Sequence, residues 1–172
     1  MKNFFSLWLV PTGDAFGLMQ SEVAIVSGAV GAKPFTPHVT LLGAIEGAEE
    51  DVARKAREFV GGLTAFRLVL GDRCISPTKY KAIFRACSRA HDLMRANRNA
   101  AALFRTSPAE YHPHLSLLYA DLSMNRKGDV LAGCFHAEAC PTSFTVRSAH
   151  LYRTPDNDPL QAELIEEIPL SE

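Results

Sequence analysis

The sequence predicts an α+β protein of two similar lobes, each carrying one histidine motif on a central strand. Three observations carry that reading. The chain nearly repeats itself: "FTPHVTLLG" at 35–43 and "YHPHLSLLY" at 111–119 align as aromatic, any residue, Pro, His, aliphatic, hydroxyl, Leu, Leu. The order strand, helix, strand, helix, strand in the first half has a similar course in the second. The 172 residues are 47% hydrophobic with no low-complexity linker, which suits one domain with a full core.

The elements follow in order. "FFSLWLV" reads as a buried strand closed by Pro11 and Gly13. Residues 14–30 read as a helix with Asp14 as its N-cap. "HVTLLGAI" is a strand. "AEEDVARKAREFV" is a helix with its acids early and its bases late, as the helix dipole prefers, stopped by Gly61 and Gly62. "FRLVLGDRCI" and "KYKAIFRAC" read as paired strands joined through Ser76 and Pro77. "SRAHDLMRANRNAAALF" is the clearest helix, capped by Ser88. "HLSLLYA" is a strand, 122–132 a short helix, "TSFTVRSAHLYRT" one long strand and "AELIEEIPL" the last.

Charge and cysteines narrow the partners. A formal net charge of −1 and a pI near 6.6 argue against a duplex-binding protein but leave room for one small anion in a local pocket. Cys74, Cys87, Cys134 and Cys140 contain no C-x-x-C and read as free thiols in a reducing compartment. "MKNFFSLWLVP" lacks a clear cleavage site, and no apolar run approaches the length of a membrane span. The expectation is a soluble, cytoplasmic monomer without a membrane partner.

Alone, H-x-[ST] means little: 6 histidines and 20 Ser plus Thr predict nearly one match by chance. The register of the whole repeat is what selects His114 over His112 as the partner of His38. Alternate residues of a strand share a face, so His38 sits with Thr40 and His114 with Ser116, while Val39, Leu41, Leu115 and Leu117 face a core. If the lobes pair about a pseudo-two-fold axis, two imidazoles and two hydroxyls face one cleft. Hydroxyls can donate to non-bridging phosphate oxygens, and two imidazoles can take and give the protons of phosphodiester hydrolysis without a metal.

On these residues the chain resembles the 2H phosphoesterases, defined by two H-x-[ST] motifs on a bilobal fold. It is most similar to the plant and yeast type of cyclic nucleotide phosphodiesterase. "SLWLVP", "PHVTLLG" and "PHLSLLYAD" carry the resemblance, "YKAIFRAC" and "LYRTP" more loosely. It implies a single bilobal domain over 1–172, with antiparallel sheets lining a central cleft and helices outside. It implies hydrolysis of nucleoside 2′,3′-cyclic phosphates or ADP-ribose 1″,2″-cyclic phosphate with no metal or other cofactor. Carried over, His38 and His114 are the catalytic pair, Thr40 and Ser116 the phosphate clamps, and Tyr119 a substrate contact. Trp8 is a further substrate-binding candidate. Where the family often has a tryptophan after "LYRTP", this chain reads "DNDPLQAELIEEI", so the ring that stacks on substrate is not identified.

Three further readings stay open. An RNA-end processing or 2′-5′ RNA ligase-like enzyme, with RNA ends as partners, would use the same motifs but need a longer electropositive track, which a pI near 6.6 disfavours; a non-catalytic RNA-end or nucleotide-binding module would not need two titratable groups. His112 with His114 could form a metal pair, though no third ligand is evident. Lys79, Lys81, Arg85 and Arg89 read as strand edges and helix surface before a basic rim. Because Tyr119 belongs to the second motif, His114 is assigned as base and His38 as acid.

Overall fold

The computed structural model describes residues 2–106, 110–136 and 142–171. Eight strands form one antiparallel sheet, and four helices pack on it. In chain order these are β1 (Asn3–Leu9), α1 (Asp14–Gly28), β2 (Val39–Ile45), α2 (Glu49–Gly61), β3 (Phe66–Ile75), β4 (Ile83–Cys87), α3 (His91–Phe104), β5 (His114–Leu118), α4 (Met124–Cys134), β6 (Thr142–Val146), β7 (Ser148–Pro155) and β8 (Glu163–Pro169). The spatial order is β6-β3-β4-β5-β2-β1-β7-β8.

The two lobes are the two halves of this sheet. They meet where β2 pairs β5 through Val39 and Leu115, the aliphatic residues that follow each motif histidine. The segment β1-α1-β2-α2 corresponds to β4-α3-β5-α4. Helices cross between the halves: α1 packs on β5, and α3 packs on β2, where Asn97 Nδ2 donates to the Leu41 carbonyl at 2.8 Å. Alternation along β1 buries Phe5, Leu7 and Leu9 in the core under the helices. Ser6 and Trp8 point to the opposite, cleft-lining face. Val39, Leu41, Leu115 and Leu117 are wholly buried, as the strand alternation requires.

Two buried charge clusters brace the frame. Glu22 of α1 accepts from Arg73 of β3 at 2.8 Å and lies 3.7 Å from Arg85 of β4, so α1 is tied to the half it crosses to. Arg85 is 1% exposed and also donates to the Leu70 and Gly71 carbonyls. Lys127 of α4 is fully buried, and its ammonium donates to the Ser76 carbonyl at 2.8 Å and the Thr78 carbonyl at 3.4 Å.

Several element boundaries differ from the sequence reading. Asp14 is the first helical residue and Gly13, at φ 58°, is the cap. Ser88 does not cap α3; its amide is committed to the Val69 carbonyl, and the cap is Ala90. Residues 79–81 form a 3-10 turn before β4. The segment read as one strand over 142–154 is two, β6 and β7, at different ends of the sheet order, because the chain leaves one half for the other at Arg147. Arg85 is a core residue and not an edge one.

Candidate active site

His38, Thr40, His114, Ser116, Tyr119 and Trp8 all line one cleft of about 500 Å³, with Ser6, Thr78, Tyr80, Lys81, Thr154 and Asn157 among its other walls. The size falls in the usual range for small-molecule sites. The cleft straddles the seam of the sheet, so each half contributes one histidine and one hydroxyl.

The two histidines are held alike. His38 Nδ1 lies 2.7 Å from the Thr36 carbonyl, and His114 Nδ1 lies 2.8 Å from the His112 carbonyl. A carbonyl only accepts, so each Nδ1 carries the proton and each Nε2 is left for chemistry. Pro37 and Pro113 stand between holder and ring, and their fixed φ helps set the turn that brings the carbonyl of residue i−2 to the ring. The holder acts through its backbone, which is why Thr36 and His112 can differ. The aromatics before each motif reach across the seam: Tyr111 donates to the Thr40 carbonyl at 2.9 Å, and Phe35 stacks on Tyr119 at 3.9 Å.

The histidines differ in environment. His38 is 5% exposed and lies under Trp8, with ring centroids 3.6 Å apart and planes within 1°. Tyr152 also stacks on Trp8, at 3.9 Å. Two rings centred this close to one indole would overlap on a single face, so they sandwich it. Burial pushes the His38 imidazole down to about 4, against the hydrogen bond to Thr36, with the His114 charge lowering it further. Burial also lowers His114; its hydrogen bond to His112 opposes this, and the Lys81 and His112 charges add to it. Burial raises the Tyr119 phenol, which stays protonated, and its hydroxyl lies 3.4 Å from His38 Nε2. The tyrosine of the second motif thus lies against the first histidine, so its place in the sequence does not favour His114 as base.

The two hydroxyls are not equivalent either. Ser116 Oγ donates to the Tyr80 carbonyl at 3.0 Å, whereas Thr40 Oγ1 makes no hydrogen bond among the described residues. Lys81 brings a cation to the cleft wall. By sequence alone Lys81 reads as a solvated strand edge. Ser6, Thr154 and Asn157 were also missed. Ser6 was legible as the residue two before Trp8 on the same face of β1; Asn157 sits in a turn with φ 58°, for which spacing gave no signal.

His112 is exposed, lies 3.5 Å from Glu110 and lines an adjoining groove rather than this cleft. Among the described residues no three His, Cys, Asp or Glu side chains are grouped to hold a metal ion. Cys74, Cys87 and Cys134 are free thiols; Cys140 lies outside the described residues. Among the described residues no helix is long and apolar enough to cross a membrane.

The chain is 22% identical over 127 residues to a cyclic phosphodiesterase of Arabidopsis thaliana, covering 73% of this chain and 70% of that protein. Its fold matches apo E. coli LigT with a TM-score of 0.64 at 12% identity, covering 99% of this chain and 98% of that one. It matches E. coli LigT complexed with 3′-AMP with a TM-score of 0.61 at 12% identity, covering both chains fully. The model of the 2′-5′ RNA ligase superfamily matches residues 28–158, a span that contains both histidine motifs and the seam between them, and the chain belongs to that superfamily, the 2H phosphoesterases.

Proposed function

We propose that this protein hydrolyses ribose cyclic phosphates, nucleoside 2′,3′-cyclic phosphates or ADP-ribose 1″,2″-cyclic phosphate, to phosphomonoesters without a metal, working as one bilobal unit. The observation that carries the reading is the matched pair of imidazoles on one cleft, each with Nδ1 tied to a carbonyl and Nε2 unprotonated, the His38 Nε2 meeting only the Tyr119 hydroxyl, at 3.4 Å, among the described residues. The name of the Arabidopsis relative supports it.

The cyclic phosphate lies between the histidines, with its non-bridging oxygens at Thr40, Ser116 and Lys81. His38, held neutral by burial, accepts a proton from water through Nε2 as the water oxygen bonds to phosphorus. The ring P–O bond breaks on the far side. His114, the more open of the two, is protonated in the field of the bound anion and gives the Nε2 proton to the departing ribose oxygen. Tyr119 donates to His38 Nε2 at rest and yields that position to water. Turnover of 2′,3′-cyclic AMP in EDTA, with the product's phosphate position read by phosphorus NMR, tests the reading. Absence of turnover for every cyclic phosphate offered would refute it.

One observation favours a second reading at the same site, an enzyme of RNA ends. A larger groove of about 1450 Å³ shares Thr40, Lys81 and His114 with the cleft and is also lined by Arg89, Arg98 and Arg105. A short RNA ending in a 2′,3′-cyclic phosphate, compared with the mononucleotide, separates the two. A kcat/KM that rises with chain length and falls with salt selects the RNA end.

A further inference from the structure

Three aromatic residues other than histidine line the cleft among the described residues: Trp8, Tyr80 and Tyr119. Trp8 is sandwiched between His38 and Tyr152 and is 4% exposed. Tyr119 is stacked on Phe35 and is 8% exposed. Neither has a face to offer a ligand. Tyr80 is 39% exposed and makes an edge contact to Tyr119 at 5.7 Å; the flexible, solvent-facing Lys79 side chain lies over the ring, its ammonium 4.9 Å from the centroid and 3.5 Å from the hydroxyl, and no aromatic ring stacks on it among the described residues.

An exposed ring on a loose loop would mean little. This loop is fastened through its backbone. Lys127 holds the Ser76 and Thr78 carbonyls, Ser76 Oγ donates to the Lys81 carbonyl at 2.6 Å, and the Ala120 amide donates to the Lys79 carbonyl at 3.1 Å. The Tyr80 carbonyl itself accepts from Ser116, the hydroxyl of the second histidine motif. The ring is therefore presented at a fixed offset from the place assigned to the phosphate. A planar, sequence-tolerant partner is what such a ring recognises, because every nucleobase has a π-face.

We infer that Tyr80 is the platform on which the cleft stacks the planar base of its nucleotide substrate. The inference rests on the cyclic phosphodiesterase reading and names the part of the substrate beyond the phosphate. Stacking on this ring helps hold the nucleoside while the phosphate is gripped at the seam. It makes the enzyme prefer nucleoside cyclic phosphates to cyclic phosphates without a base.

The test compares wild type, Tyr80→Ala and Tyr80→Phe on 2′,3′-cyclic AMP and on glycerol 1,2-cyclic phosphate, which has no base. The backbone carbonyl that Ser116 uses survives both substitutions. The preference, the ratio of the two kcat/KM values, falls about 5- to 150-fold in Tyr80→Ala, the range expected for loss of one stacked base. Tyr80→Phe retains it. A ratio unchanged in Tyr80→Ala, or lost equally in Tyr80→Phe, overturns the inference. Calorimetric binding of 3′-AMP and of inorganic phosphate to the same proteins keeps this separate from the catalytic reading. Weaker binding of 3′-AMP alone in Tyr80→Ala supports the platform even if no cyclic phosphate is turned over, and equal weakening of both ligands, or of neither, overturns it.

Discussion

The indole of Trp8 lies parallel to the imidazole of His38, 3.6 Å centre to centre, and closes that histidine from water. Trp8→Leu opens His38, so its pKa rises from about 4 toward the ordinary histidine value of about 6.5. A base must be neutral to act. The acidic limb of the kcat/KM profile therefore moves to higher pH in the variant, and activity at pH 5 falls more than activity at pH 8. A limb that stays in place would detach Trp8 from His38.

The same burial links pH to stability. His38 binds a proton less readily folded than unfolded, so the contribution of its neutral form is complete above about pH 6.5 and is lost as pH falls toward 4. The loss is on the order of 3 kcal/mol. Urea midpoints between pH 7 and 4 should fall less steeply for His38→Gln than for wild type.

His38→Ala and His114→Ala should each lower kcat about 10²- to 10⁴-fold, since each removes one proton transfer. A nitrophenyl phosphodiester needs little help at its leaving oxygen. It should rescue His114→Ala and leave His38→Ala impaired; the reverse pattern exchanges base and acid. His112→Ala should be mild, because His112 serves His114 through its carbonyl.

Thr40→Ala and Ser116→Ala should separate in stability. Both lose a donor to phosphate, worth about 1.5–3 kcal/mol in the transition state. Ser116 has one hydroxyl proton, which goes to the Tyr80 carbonyl in the free protein and turns to the phosphate when substrate binds, so Ser116→Ala alone should lower the Tm of the free protein measurably. Equal melting temperatures would show that this hydrogen bond adds nothing.

Lys127→Met keeps the bulk of the buried side chain and removes the donors that fasten the Ser76–Lys81 loop. Each hydrogen bond from a charged group is worth about 1.5–3 kcal/mol. Stability should fall by about that much, and KM should rise more than kcat falls. A kcat effect without a KM effect would place Lys127 in the chemistry instead.

The motif repeat made much of the site legible, because a period-two pattern on a strand is local. His38 with Thr40, His114 with Ser116 and the four core aliphatics needed only that rule. What was not legible depends on residues distant in sequence. Tyr119 reaches the histidine of the other motif, and Arg85, polar in a strand, is buried because Glu22 and two carbonyls happen to meet it. Lys81 differs from Lys79 and Arg89 only because the loop before β4 is bonded to the end of β5, which sets Lys81 on the cleft wall. The break at Arg147 was hidden because two strands with the same alternation, placed end to end, read as one.

The crossing of α1 and α3 bears on how the chain reaches its native state. The first strand has its neighbour β7 some 140 residues later, and each lobe covers its sheet with a helix supplied by the other. Neither half can hide its apolar face by itself. The nascent N-terminal segment must therefore wait for the C-terminal strands, and folding should be a single cooperative event after synthesis rather than lobe by lobe. Cut at the Gly61–Gly62 junction, the two pieces should be disordered apart and should regain structure, and the cleft, only when mixed.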